Sequence, residues 1–289
     1  GINSAKYATI GGNFIPSENI GEVLNQGIDA CVNWNDKVGE DFTYNLGFNI
    51  TFTKNKLRKT NELNNIEDYR KSIGQPTSAI FGWQSQGLFG KDVAIVGHPF
   101  QSFGNYQVGD IAYADLNNDG MVDNNDQTCI GQSFPKTTLG VDVTLNYKGF
   151  GLYILGTATT GVTQMLTSTY YWNKGLDGYS VLAKERYHPV NNPTGTQPRL
   201  TTTSGVNNYR NSTFWTKNGS FFRLKNVELS YTLNNNSKKG IGKNYKFFVR
   251  GANLFVLSGI KELDPEQMLA GISNYPVYRT ITGGVSINF

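Results

Sequence analysis

The chain has 289 residues, 33 of them Gly and 33 Asn, with an aromatic share of 13% and only 17% charged. That load of turn formers excludes a helical bundle, and nine Pro among so many aromatics argue against disorder. The formal charge of +4 is dispersed, with no basic run longer than a pair such as Lys238-Lys239, which argues against nucleic acid as a partner.

No stretch approaches the ~18 consecutive apolar residues of a membrane helix. The mean hydropathy of -0.39 does not make the chain soluble, because membrane β-barrels alternate lipid-facing and lumen-facing residues and average out as polar. Cys31 and Cys129 are too few and too far apart for a disulfide framework or a zinc site. The chain opens at Gly1 without a charged and apolar leader, so an export signal is expected upstream or already removed.

Period-two alternation is the dominant pattern. Ile28, Ala30, Val32 and Trp34 form a first short strand, with Cys31 on the polar face beside Asp29 and Asn33. Residues 42–52 place an apolar side chain at every even position. Residues 137–147 repeat the pattern through Leu139, Val141, Val143, Leu145 and Tyr147. Further strands are expected over 150–158, 221–233, 245–256 and 277–289, with a possible remnant before Ile10. Between Leu224 and Val227 the apolar parity slips by one, which predicts a bulge near Lys225-Asn226.

Runs of ten or so residues exceed the five or six usual in soluble sandwiches and suffice to cross a bilayer at a tilt. Phe42, Tyr44, Phe52, Tyr147 and Tyr231 lie near strand ends, where interfacial aromatic girdles sit. Short links (35–41, 148–149, 234–244) alternate strictly with long ones (53–136, 159–220, 257–276), as periplasmic turns and extracellular loops do. The expected fold is all-β: the C-terminal portion of a large transmembrane antiparallel β-barrel with long extracellular loops. Seven strands are fewer than the eight of the smallest bacterial barrels, so earlier strands are expected to be missing from residues 1–289.

Several segments carry a family likeness. They are Asn19-Ile20-Gly21-Glu22-Val23 with Asn25-Gln26-Gly27, Gly109-Asp110-Ile111 leading to Asp115-Leu116-Asn117-Asn118-Asp119-Gly120, and Ile130-Gly131 with Pro135-Lys136 and the strand to Tyr147-Lys148-Gly149-Phe150. Then come Glu185-Arg186-Tyr187-His188-Pro189, Pro198-Arg199-Leu200, Phe222-Arg223-Leu224-Lys225-Asn226-Val227, Ser230-Tyr231-Thr232-Leu233, Asn253-Leu254-Phe255, Asp264-Pro265-Glu266 and Phe289. In this order and spacing the chain resembles the C-terminal part of SusC/RagA-family TonB-dependent transporters, outer-membrane nutrient importers of Bacteroidetes. The resemblance implies a multi-pass β-barrel in the cell outer membrane that imports glycan or peptide fragments. It also implies a SusD-like surface lipoprotein as lid, and coupling to TonB through plug and box segments that have no counterpart in this chain. Phe289 resembles the aromatic terminus read by the outer-membrane assembly machinery.

Catalysis is not expected. His98 and His188 each precede Pro in long loops without a hydrolase motif, and Glu262, Asp264 and Glu266 read as turn chemistry around Pro265. Tyr170, Tyr171, Trp172, Phe214 and Trp215 read as loop packing ahead of ligand stacking. Substrate-binding residues cannot be named from the sequence. A passive porin-like channel and a calcium-dependent adhesion or scaffold module are the competing functions.

One loop has metal-like spacing. Counting Asp115 as position one, oxygen-bearing side chains fall at positions 1, 3, 5, 9 and 12, with Gly120 at position 6. This EF-hand-type spacing predicts Ca²⁺ held by Asp115, Asn117, Asp119 and Asp123, the Met121 carbonyl and the Asp126 carboxylate. The other reading is an Asn/Asp-rich turn that satisfies its own backbone.

Overall fold

The computed structural model describes residues 20–62, 66–175, 178–201, 207–234, 244–267 and 275–288. The remnant before Ile10, Asn19, most of the 234–244 link and Phe289 lie outside the described residues.

Seven strands form one antiparallel sheet in sequence order: β1 Glu22–Val38, β2 Phe42–Lys59, β3 Thr137–Tyr147, β4 Phe150–Thr160, β5 Phe221–Asn234, β6 Asn244–Ser258 and β7 Thr280–Asn288. Each strand hydrogen-bonds only its sequence neighbours in this sheet, which is a barrel wall left open at β1 and β7. The β3–β4 hairpin turns on Lys148 and Gly149, both at positive φ (47° and 88°), the two-residue geometry that matches strand twist. A Cβ on Gly149 would stand 2.7 Å from the Thr232 carbonyl, so glycine is required twice over.

Register aligns the apolar parity of every strand on one face. One row runs Trp34, Leu46, Val143, Ile154 and Val227, and the row nearest the short turns runs Phe42, Tyr147, Phe150, Tyr231 and Phe247. The belt ends on β2 at Phe52, ten residues beyond Phe42. At about 3.3 Å per residue and a tilt of about 40°, ten residues rise about 25 Å, the height of a barrel's apolar band. This face carries large apolar side chains in the open, among them Ile28 (68% exposed), Trp34 (60%) and Val249 (56%). The opposite face is polar and lies flush: Asp142 crosses Gly47 and Asn49 crosses Gly140, where a Cβ would collide with either side chain.

Pairing skips Lys225 against both neighbours of β5, as the parity slip predicts, and Asn253 opposite takes φ 52°. Several strand ends differ from expectation: β4 runs to Thr160, β6 to Ser258, β7 begins at Thr280 rather than 277, and the first hairpin is longer at both ends of β1. β1 begins at Glu22 and β2 continues to Lys59, pairing with each other above the belt through Gln26↔Lys54 and Leu24↔Lys56. There the hairpin projects beyond the apolar zone, the outward face of β2 is wet while Thr53, Asn55 and Leu57 on its other face are partly covered, and hydropathy no longer alternates.

The long connections join on one side and fold together. Ala79–Trp83 pairs Gln127–Gln132, Ser85–Leu88 pairs Ile111–Tyr113, Phe100–Gln101 pairs Met121–Val122 in parallel, and Thr163–Met165 pairs Thr216–Asn218. The buried core of the described residues sits in this layer and not in the sheet. Trp83, Leu88, Phe103, Ile111, Tyr113, Val122, Tyr171 and Trp215 belong to it.

Candidate functional site

The layer over the barrel mouth is fastened by a buried polar network between its two longest connections. Asp110, 1% exposed, accepts from Asn208 Nδ2 at 2.7 Å and the Gln107 amide at 2.8 Å, and pairs with Arg199 Nε at 2.8 Å. Asn208 Oδ1 accepts from the Ile111 amide, and Asn207 Nδ2 donates to the Ile111 carbonyl. Gln101 accepts from the Tyr113 amide at 2.7 Å and donates to Asn207 Oδ1 at 2.6 Å, while the Tyr113 hydroxyl donates to the Asn207 carbonyl. Nearly every lone pair and N–H here has a partner, which is the condition for burying polar side chains without loss of stability. Burial pushes the Tyr113 hydroxyl well above its ordinary range, keeping it a neutral donor.

The aromatics complete this core. Trp215 (2% exposed) donates Nε1–H to the Asn208 carbonyl at 2.7 Å and packs against Phe214, Tyr209 and Trp172. Arg210 lies over Phe103 at 3.9 Å and Trp83 at 5.3 Å, a cation–π contact. Tyr170 packs edge-on against the buried Tyr171. The loop aromatics are therefore packing elements.

The third long connection is clamped to the wall beside the bulge. Arg223, 3% exposed, binds both oxygens of Asp264 at 2.7 Å and reaches Glu266 at 3.4 Å, and Lys225 lies 3.8 Å from Glu266. Glu262 pairs with Lys217 at 3.7 Å and accepts from the Tyr171 hydroxyl at 3.3 Å. These carboxylates do more than shape a turn: Asp264 and Glu266 tie the connection to the wall, and Glu262 ties it to another connection. His98 sits between the Pro99 carbonyl and Gln86, and His188 Nδ1 accepts from the Val190 and Asn191 amides.

The predicted calcium residues form one compact turn. Asp115 accepts from the Asn118 and Gly120 amides (2.7 and 2.9 Å), with Asn118 and Gly120 both at positive φ. Asn117 accepts from the Asp119 amide and donates to Asp119 Oδ2, and Asp119 Oδ1 accepts from the Met121 amide. Asp123 caps Asn125, and the fully buried Asp126 accepts from the Asp123 and Leu116 amides at 2.8 and 2.7 Å. The turn docks through Trp83 Nε1 on the Asp123 carbonyl and the Tyr69 hydroxyl on the Asn125 carbonyl. Among the described residues no group of three or more His, Cys, Asp or Glu converges as a metal site.

No family model matches the chain. TonB-dependent receptor P26 of Formosa agariphila is 27% identical over a 304-residue alignment covering 94% of this chain, and TonB-dependent receptor SusC of Bacteroides thetaiotaomicron is 26% identical over 100% of it. In structure the chain superposes on the RagAB peptide importer in its open-open state with a TM-score of 0.71 over its whole length at 17% identity, and in its closed-closed state with 0.67 over 96% at 20%. The chain is similar, along nearly its whole length, to SusC/RagA-type TonB-dependent receptors, and as a partial chain it fits their C-terminal part. It spans about 30% of the length of the curated receptors it matches. The open seven-stranded wall is accordingly a sector of a transmembrane receptor barrel, with its apolar face toward lipid and its flush polar face toward the lumen. These relatives are receptors and importers rather than enzymes.

Sequence reasoning passed over the polar network. Gly109-Asp110-Ile111 and Pro198-Arg199-Leu200 were visible as family-like segments, yet nothing local signals that Arg199 meets Asp110. The one hint available was an Asp between Gly and Ile in a weakly charged loop.

Proposed function

We propose that the protein containing this chain imports oligomeric nutrients, glycan or peptide fragments, across the outer membrane in a TonB-dependent manner. A SusD-like lipoprotein lids the barrel from outside. The observation that carries this reading is the continuity of a lipid-facing wall with a fully packed loop layer over its mouth, in a chain similar along nearly its whole length to TonB-dependent receptors. A plain diffusion pore needs no such layer. The chain's part is to form barrel wall and to hold the extracellular loops in fixed shape under a lid. The test is uptake of labelled oligopeptide and oligosaccharide pools by cells carrying the full-length protein, with and without a protonophore. Uptake is expected to fall to background when the gradient collapses, whereas undiminished uptake would return the passive-channel reading.

A second proposal is that the turn from Asp115 to Asp126 takes Ca²⁺ at its oxygen-bearing positions. The spacing supports it, and so does the free acceptor capacity of Asp115, whose two oxygens each accept one amide and keep another lone pair. With a Kd of about 0.5 mM, 5 mM calcium would stabilise the layer by about 1.4 kcal/mol. Melting of the full-length protein in calcium against chelator reads this directly. A rise of about 1 °C that vanishes in D115N/D119N is expected; identical melting in both buffers would leave the turn closed by its own amides.

A further inference from the structure

We propose that Lys54 and Lys56 form a contact site for the phosphate of an outer-leaflet lipid. The inference rests on the outer-membrane reading. On β2 the even positions face outward, and Phe42, Leu46, Phe48, Ile50 and Phe52 supply the apolar belt. Beyond Phe52 the same face continues without a break as Lys54, Lys56 and Arg58, all exposed, while the odd neighbours Thr53, Asn55 and Leu57 are partly covered.

Height selects the partner. Each outward step of two residues rises about 5 Å at the barrel tilt, so Lys54 and Lys56 stand about 5 and 10 Å above the belt, at the level of headgroups and not of acyl chains. Long lysine stems can lie along the wall while the ammonium reaches an anionic headgroup. Arg58 is the member already satisfied, paired with Glu22 at 3.2 Å. Among the described residues no carboxylate pairs with Lys54 or Lys56, and their cross-strand partners on β1 are Gln26 and Leu24. The lipids that cover the belt therefore bring their headgroups to two uncompensated cations.

Retention of lipid A by the purified full-length protein, read by native mass spectrometry, tests the site. Lipid A is expected to stay bound in preference to its dephosphorylated form. K54Q/K56Q is expected to hold it about thirtyfold more weakly, while K54R/K56R and the loop variant K71Q hold it as the parent does. Equal retention in K54Q/K56Q, or full displacement by millimolar inorganic phosphate, would overturn the site. Equal binding of the dephosphorylated lipid by a protein that still fractionates with the outer membrane would overturn this inference alone. Absence of the parent from that membrane would instead overturn the reading beneath it.

Discussion

Asp110→Ala will unseat the loop layer while leaving the barrel wall intact. The substitution removes the acceptor of two hydrogen bonds and the partner of Arg199 from a position 1% exposed. Losing one member of a buried ion pair costs about 3–5 kcal/mol, because the remaining charge is left uncompensated. The Arg199 side chain keeps 25% of its surface exposed, which places the expected loss near the lower end, about 3 kcal/mol. Asn208 and the Gln107 amide lose their acceptor as well, so the damage spreads to the Ile111 backbone. Asp110→Asn keeps an acceptor and removes only the charge, so it is expected to fall between the parent and Asp110→Ala. Hydrogen exchange in the full-length protein is the measurement. Amides of 107–113 and 207–210 should exchange faster by two orders of magnitude, with β3 and β4 unchanged. Uniform protection across the layer would mean that the network is dispensable.

The wall was legible in the sequence because a barrel strand has one physical demand that repeats every second residue. Residues 137–147 announced β3 to the residue, and the slip at Lys225 announced the bulge, since one extra residue must flip the parity. The same logic explains what was missed. The projecting halves of β1 and β2 stand beyond the apolar belt and turn polar residues such as Gln26, Lys54 and Lys56 outward, so alternation ends at Ile28 and Phe52 although the hydrogen-bonded ladder continues. Within the long connections the paired segments are two to six residues long, too short for any period to register.

The candidate site was less legible still. Asp110 lies 89 residues from Arg199 and 98 from Asn208, and they meet only because the connections fold against each other. Nothing in the neighbourhood of an isolated Asn tells whether it caps a turn or lies in a core. Carboxylate spacing from Asp115 to Asp126 was visible, and the structure gathers those residues into one turn; spacing alone does not reveal that main-chain amides already engage each carboxylate. Trp172 and Trp215 are conspicuous as aromatics in a loop, and only the fold shows them packed against each other at a tilt.

The second large effect concerns the wall. Val143 sits at mid-height of the belt, in the row Trp34, Leu46, Val143, Ile154, while its neighbour Thr144 belongs to the polar face beside Asn45 and Tyr153. An arginine at the lipid-facing midplane of a barrel costs about 2–4 kcal/mol, and one on the lumenal face far less. Val143→Arg is therefore expected to lower folding yield and the urea midpoint sharply, with Thr144→Arg close to the parent. The alternation itself is the central claim, and it can be read without perturbing stability. In the full-length protein with Cys31 and Cys129 replaced by Ser, single cysteines at each position from 139 to 147 would carry a spin label in native membranes. Labels at 139, 141, 143, 145 and 147 should be accessible to dissolved oxygen and shielded from an aqueous nickel chelate, while even positions contact neither lipid nor its oxygen. Accessibility to the aqueous reagent at both parities, with no period of two, would contradict a membrane-spanning wall.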